Sequence, residues 1–250
     1  MASITLFQNA THRNILLEDF GRGQAVQANQ HLIVHDGAGM ILDPGGHRVY
    51  TRAMSESTAL LGDGELKLIF FSHQDPDIIA AANGWLMTTE ATAWISTLWI
   101  RFVPHFGLDQ LVIDRLKAIP DEGMRLDLAG SELLVLPAHF LHSPGNFQVY
   151  DPVSKILYSG DLGASFGMDY QEVRDFGAHI PYMEGFHRRY MASNKVLRAW
   201  ADMVRGLEID TIAPQHGAFF HGKEMVRQFI DWCAELSAGV DILPPFRIPR

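Results

Sequence analysis

His73, Asp75 and Asp77 alternate along His73-Gln74-Asp75-Pro76-Asp77, directly after the apolar run Leu66-Lys67-Leu68-Ile69-Phe70-Phe71-Ser72. One imidazole and two carboxylates at i, i+2 and i+4, just past a buried strand, are metal-type ligands on a short loop. The same residue kinds recur downstream in the same setting. His142 follows a strand-like run at residues 133–136, Asp161 follows Leu157-Tyr158-Ser159-Gly160, and His216 follows Thr211-Ile212-Ala213. Loops at strand ends are where a rigid scaffold presents functional groups. Singly, each residue has a plainer explanation. A lone loop histidine is usually solvated, an aspartate beside Gly or Pro usually serves a turn, and Asp77 could simply cap the following helix. One context recurring at four separate places reverses that balance.

Three carboxylates converging without a cation would repel one another, whereas two divalent ions would neutralise them and leave roughly one net positive charge. Three imidazoles and three carboxylates make a harder donor set than a zinc site built mainly from histidine. Carboxylate oxygen shifts the preference toward iron or manganese, although zinc also accepts carboxylates.

The elements that must hold these loops are legible in outline. Residues 15–20 and 30–35 read as short apolar strands, Gly37-Ala38-Gly39 as a turn before the strand Met40-Ile41-Leu42, and Asp43-Pro44-Gly45-Gly46 as a break. Residues 49–61 are helical in pattern and 66–71 form a buried strand. Residues 77–88 read as a helix favoured by Ala80-Ala81-Ala82, 93–96 as a strand, and 98–106 as another helix. The second half repeats the grammar. Strands fall at 132–136, 147–150 and 155–159, the last two as a hairpin around Asp151-Pro152-Val153-Ser154. A helix at 191–204, a strand at 211–213 and a closing helix at 223–236 follow. Grouped strands with interspersed helices in two similar halves favour an α/β (α+β) protein with two helix-covered sheets over a doubly wound parallel sheet.

Composition sets the outer bounds. The 250 residues are 47% hydrophobic and 20% charged, ample for a core. A net charge of -9 gives no footprint for nucleic acid. The single Cys233 excludes an internal disulfide and any multi-cysteine metal site, and it suits a reducing cytosol. Met1-Ala2-Ser3-Ile4-Thr5 lacks a basic region followed by an apolar one, so no signal peptide is expected. The least charged stretch, residues 78–100, contains Asn83, Glu90 and several Thr and Ser, and is a poor membrane span. The expectation is a cytoplasmic protein with no nucleic-acid or membrane partner.

These motifs resemble the flavodiiron proteins of the metallo-β-lactamase superfamily. His73-x-Asp75-x-Asp77 is similar to the family's His-x-Glu-x-Asp-His motif, and Leu141-His142-Ser143-Pro144 to its Leu-His-Trp-Pro segment. Residues 155–161, Lys155-Ile156-Leu157-Tyr158-Ser159-Gly160-Asp161, resemble its strand ending in a bridging aspartate, and Pro214-Gln215-His216-Gly217 its last histidine loop. Gln30-His31-Leu32-Ile33 through Asp43-Pro44-Gly45 matches its early strands and turn, so the resemblance spans most of the chain. It implies an αββα sandwich with the site at one edge and a single domain over residues 1–250. It also implies a centre of two Fe ions, with His73, Asp75 and His142 on the first, Asp77 and His216 on the second, and Asp161 bridging. A homodimer is implied as well.

The chain departs from the family in three ways. Asp75 stands where the family usually has Glu, one methylene shorter. Ile78 stands where the motif ends in His, which removes one ligand from the second metal. No flavodoxin-like or rubredoxin region is expected, so no FMN in this chain and no built-in electron donor. This pattern is most similar to stand-alone oxygen-binding di-iron proteins, which implies dioxygen binding and sensing with a signalling partner. The alternative is an oxygen or nitric oxide reductase core fed by a separate flavoprotein donor. A metallohydrolase is a third reading, against which Asp75 and Ile78 argue.

Tyr190 falls near a tyrosine that in the family overlooks the di-iron pocket, where a phenol could donate a hydrogen bond to bound oxygen. Packing at a helix start is its equal alternative. His139 rivals His142, and the Leu-His-x-Pro context selects His142. Trp94, Trp99, Phe102 and Phe106 read as core packing or a dimer surface. His105, His179, His187 and His221 carry no motif and read as surface residues or as neighbours of the ligands.

Overall fold

A computed structural model describes residues 3–17 and 26–249. Strands β1 (Ile4–Gln8), β2 (His12–Leu16), β3 (His31–His35) and β4 (Ala38–Leu42) form an antiparallel meander. The next three, β5 (Glu65–Phe70), β6 (Thr92–Ser96) and β7 (Leu116–Ile119), add in parallel. Parallel neighbours need crossovers. Helix α1 (His47–Leu61) links β4 to β5, and α2 (Pro76–Ile79) with α3 (Ala82–Thr88) links β5 to β6. The result is a seven-stranded sheet in sequence order.

The second sheet also has seven strands. Strands β8 (Met124–Leu128), β9 (Ser131–Pro137), β10 (Phe147–Asp151) and β11 (Ile156–Gly160) form its antiparallel part. The short β12 (Glu172–Val173), helices α4 (Phe176–Tyr190) and α5 (Asn194–Val204), β13 (Thr211–Pro214), β14 (Phe219–His221) and α6 (Lys223–Glu235) follow. β13 lies parallel to β11, and the sheet runs β12-β14-β13-β11-β10-β9-β8.

Period-two alternation sorts side chains between layers. Met40 and Leu42 of β4, and Ile156 and Tyr158 of β11, fill the space between the sheets with Phe70, Phe147 and Val149. Ile41 and Ile69 face the layer of α1 and α3, which contributes Ala53, Trp85 and Leu86. Leu157 and Ile212 face the layer of α4 to α6, with Met183, Trp200 and Phe229. This is the expected αββα arrangement of two helix-covered sheets. Among the described residues, no helix is long and apolar enough to cross a membrane.

Several local expectations differ from the structure. The strand expected at 15–20 is β2, which runs from His12 to Leu16, and residues 18–20 lie outside the described residues; β1 before it was not expected. The helix expected at 77–88 is two short helices. Ala81 sits at φ -94 and ψ 9, outside the α region, despite its high intrinsic propensity. The break lets α2 carry Asp77 while α3 independently buries Trp85. The helix expected at 98–106 is a series of turns ending in a 3-10 turn, Val103–Phe106. Pro104 cannot donate a helical hydrogen bond there. The helix expected at 191–204 begins at Asn194, because Met191 is extended and ends α4. Tyr190 therefore closes a helix and does not start one. Helix α4 itself escaped the sequence pattern because Gly177, Pro181 and Gly185 interrupt it.

A buried polar cluster joins the sheets at the end of β10. Asp151 Oδ2 accepts from His12 Nε2 at 2.7 Å, Asn14 Nδ2 at 2.7 Å and Ser154 Oγ at 2.7 Å. Asn14 also donates to the Tyr158 hydroxyl at 2.8 Å, and His12 and Asp151 are both fully buried. Removing one partner of such a set strands the others without water. Asp151→Ala should therefore lower stability by about 3–5 kcal/mol, read from the shift of the urea unfolding midpoint.

Candidate metal centre

Four strands deliver the ligand-type residues to one edge of the sandwich. His73, Asp75 and Asp77 follow β5, His142 follows β9, Asp161 follows β11, and His216 follows β13. The sheets are tied at this edge. Phe147 N–H donates to the Ser72 carbonyl at 3.0 Å, and Asn29 N–H to the Gln215 carbonyl at 2.5 Å. Gly217 is required for the last loop. It has φ +80, and a Cβ there would lie 2.1 Å from Ser165 Oγ.

All six side chains converge, with Asp161 at the centre. His142 Nε2 lies 3.2 Å from Asp161 Oδ2 and 3.2 Å from Asp75 Oδ2. His73 Nε2 lies 3.8 Å from Asp161 Oδ1 and 3.7 Å from Asp75 Oδ2. His216 Nε2 lies 3.5 Å from Asp161 Oδ1 and 3.5 Å from Asp77 Oδ2. Two ligand atoms each about 2.1 Å from one ion lie roughly 3.0–3.4 Å apart at octahedral to tetrahedral angles. The observed separations are close to that range. His73, His142 and Asp161 form the tightest set, with ligand atoms all within 4.8 Å of one another.

The donor set fits a hard or borderline cation such as iron. His73 Nε2 and Asp161 Oδ1 are buried with no hydrogen-bond partner. A buried polar atom left unpaired costs about 1–3 kcal/mol, and a shared cation answers both. The far nitrogens are held so that Nε2 faces inward. His73 Nδ1 meets Ser72 Oγ at 2.9 Å, and Ser72 N–H donates to Asp43 Oδ1 at 2.8 Å. His216 Nδ1 donates to the Gln27 carbonyl at 2.5 Å. Such outer contacts fix the tautomer and ring direction of a ligating histidine.

Electrostatics follow from packing six ionisable groups together, with the Asp75 and Asp77 side chains partly exposed. Burial opposes charge on every one of them. For His142, burial is overridden by hydrogen bonds that its imidazole donates to the Asp161 and Asp75 carboxylates, which push its pKa up to about 10. Asp161 and Asp77 do the same for His216, up to about 9. His73 is also raised, with Asp161 and Asp75 overcoming burial. Burial would lift Asp161 and Asp75, but the neighbouring imidazoles hold both well below the usual carboxylate range. Asp77 is raised by burial.

His142 lies in the cluster, whereas His139 turns away and meets the Asp121 carbonyl through Nε2 at 2.8 Å. Ile78 is fully buried among the apolar residues between the first sheet and its helices. Tyr190 is 53% exposed at the site's rim, its ring edge-on to His142 at 5.6 Å and stacked on Phe186 at 4.6 Å. His187, set aside in the sequence, is fully buried. Its Nδ1 donates to the Met183 carbonyl at 2.8 Å, and its Nε2 accepts from Gly163 N–H at 2.9 Å, two residues after Asp161. His179 is buried too, against the Tyr170 hydroxyl at 2.9 Å.

Sequence reasoning missed the supporting residues Gln27, Asn29, Asp43 and Ser72. Asn29 Nδ2 donates to the carbonyls of Pro214 and Gly217, each at 2.9 Å, and Gln27 Oε1 accepts from Gly217 N–H at 2.6 Å. The available signal was the uncharged amide cluster Gln27-Ala28-Asn29-Gln30 just before a strand.

Two helix-faced sheets with ligand-type side chains gathered on loops at one edge define a metallo-β-lactamase-like protein. The chain belongs to the ODP family beta lactamase family, whose model matches residues 26–217. It is 42% identical to a chemotaxis sensor, ODP, solved as a peroxy diiron species. That match covers 97% of this chain and 98% of that one, with a TM-score of 0.86. The apo state of chemotaxis sensor ODP from T. denticola is similar at 42% identity, covering 96% and 97%, with a TM-score of 0.85. A flavo di-iron protein variant from Thermotoga maritima shares the fold at 16% identity, covering 93% of this chain and 60% of that one, with a TM-score of 0.76. Diflavin flavoprotein A 1 of Synechocystis sp. (strain ATCC 27184 / PCC 6803 / Kazusa) is 24% identical over 224 residues. This chain spans 38% of that curated relative's length.

The raised histidines predict how the metal-free protein responds to pH. His142 and His216 bind protons more tightly folded, at about 10 and about 9, than at the ordinary 6.5. Their contribution to stability is complete below pH 6.5 and is lost as pH rises through 9 to 10. Urea midpoints of chelator-treated protein should fall over that window, and a His142→Gln/His216→Gln variant should show a flatter profile.

Proposed function

We propose that this protein is a non-haem di-iron protein that binds dioxygen and reports it to a signalling partner. The observation that carries the reading is that two sets meet at Asp161: His73 and His142, which share Asp75, and His216, which pairs with Asp77. It occurs in a chain 42% identical, over nearly its whole length, to a chemotaxis sensor solved as a diiron species. In this reading one iron is held by His73, Asp75 and His142, a second by Asp77 and His216, and Asp161 bridges them. Two ferrous ions would supply the electrons and open coordination positions that dioxygen requires.

The chain's own residues do the rest. Ser72 and Gln27 orient the imidazoles, and His187 pins the loop after Asp161. Phe166 and Phe186 pack against His216 and His142, while Asp75 and Asp77 stay partly open to solvent. Tyr190 stands at the rim, where its hydroxyl would serve as a hydrogen-bond donor to bound oxygen. The lone, buried Cys233 fits a cytoplasmic setting, and a homodimer belongs to the same reading. Likeness to flavodiiron cores is at the level of the fold, so a reductase fed by a separate flavoprotein is the second reading.

Protein loaded anaerobically with ferrous iron and then exposed to air should develop a visible absorption band that lasts for minutes. Loss of any band together with rapid NADH-driven oxygen consumption, given a flavin donor, would favour the reductase. Asp161→Ala should lose both irons by elemental analysis. Retention of the full complement would rule out the bridging role.

A further inference from the structure

Asp75 uses only one of its oxygens toward the cluster. Oδ2 faces His73 and His142, and Oδ1 accepts from Gln74 Nε2 at 2.9 Å. Gln74 Oε1 in turn accepts from Ser143 Oγ at 2.6 Å, and Ser143 Oγ accepts from Trp99 Nε1 at 3.0 Å. The chemistry of the far end sets the direction of the whole chain. An indole N–H only donates, so the Ser143 hydroxyl must receive it and send its single proton onward. Gln74 must then present its carbonyl oxygen to Ser143 and its NH2 to Asp75. That makes Asp75 Oδ1 an acceptor and reserves Oδ2 for the site.

Trp99 is itself held in place. Its backbone N–H donates to the Ser96 carbonyl at 2.9 Å, at the end of β6. Gly145 gives the indole its room: a Cβ there would lie 2.8 Å from Trp99 Nε1 and 2.7 Å from Ser96 Oγ. The turn carrying Trp99 also displays Leu98, 38% exposed, and Phe102, 40% exposed. The chain of bonds thus runs from a candidate ligand to the protein surface.

We infer that Gln74, Ser143 and Trp99 form a positioning relay that fixes which oxygen Asp75 offers to the first metal and couples that metal to the 97–102 turn. The inference rests on the di-metal reading above and adds residues that touch neither metal. Outer contacts of this kind commonly change metal affinity by about 10- to 100-fold when removed. A merely structural role would instead lower the stability of the metal-free fold and weaken both metals alike.

The test is an anaerobic ferrous titration against a competing chelator, resolving the two binding steps, on the full chain. Gln74→Leu, Ser143→Ala and Trp99→Phe should each weaken the step assigned to His73, Asp75 and His142, by about 10-fold or more for Gln74→Leu. The other step and the metal-free melting temperature should stay near wild type. Gly145→Ala leaves the relay's chemistry intact but crowds the indole, so it should weaken the same step. Gln74→Leu/Trp99→Phe should be no weaker than Gln74→Leu alone, since both cut one chain. Unchanged affinities, equal weakening of both steps, or additive effects would each overturn the relay. Wild-type protein that takes up no iron would instead overturn the di-metal reading.

Discussion

The structure depends on one constraint: Asp161 is buried at the edge where the sheets meet, and its charge must be answered there. His73, His142 and His216 approach it from three different loops. Asp75 and Asp77 then flank those imidazoles, so the metal-free cluster balances its three carboxylates only by holding protons on the histidines. Bringing so many ionisable groups under cover is costly unless each is paired. Cations beside Asp161 would take the place of those protons and would give His73 Nε2 and Asp161 Oδ1, which lack hydrogen-bond partners, something to bind.

Much of the remaining architecture holds that edge in place. The two sheets are bonded across it by Phe147 to Ser72 and by Asn29 to Gln215. The Gln27-to-Gln30 segment clasps the His216 loop, and His187 reaches from α4 to the Asp161 loop. At the far end of β10, the His12–Asp151 pair joins the sheets again through its own hydrogen bonds. The sandwich is therefore fastened by polar clusters at both ends, with apolar packing between them.

The convergence of these six side chains was readable in the sequence because each follows a short apolar strand and keeps a telling residue type. The paired-sheet architecture was readable for the same reason, since strands such as Glu65–Phe70 and Ile156–Gly160 are apolar and turn-bounded. Local propensity misled where packing prevailed: the alanines at 80–82 did not sustain one helix, and α4 formed across Gly177, Pro181 and Gly185. The supporting shell was not readable. Trp99 and Ser143 are 44 residues apart, and Ser143 and Gln74 are 69 apart. No periodicity announces a hydrogen bond over such distances. Trp99 looked like an aromatic for packing, and only its partner through space reveals its link to Asp75.

The central claim is that two metals flank Asp161. Anomalous diffraction at the iron edge, from crystals of anaerobically iron-loaded protein, tests it most directly. The account predicts two peaks, one among His73, Asp75, His142 and Asp161 and one among Asp77, His216 and Asp161. A single peak, or peaks away from these six side chains, would contradict it.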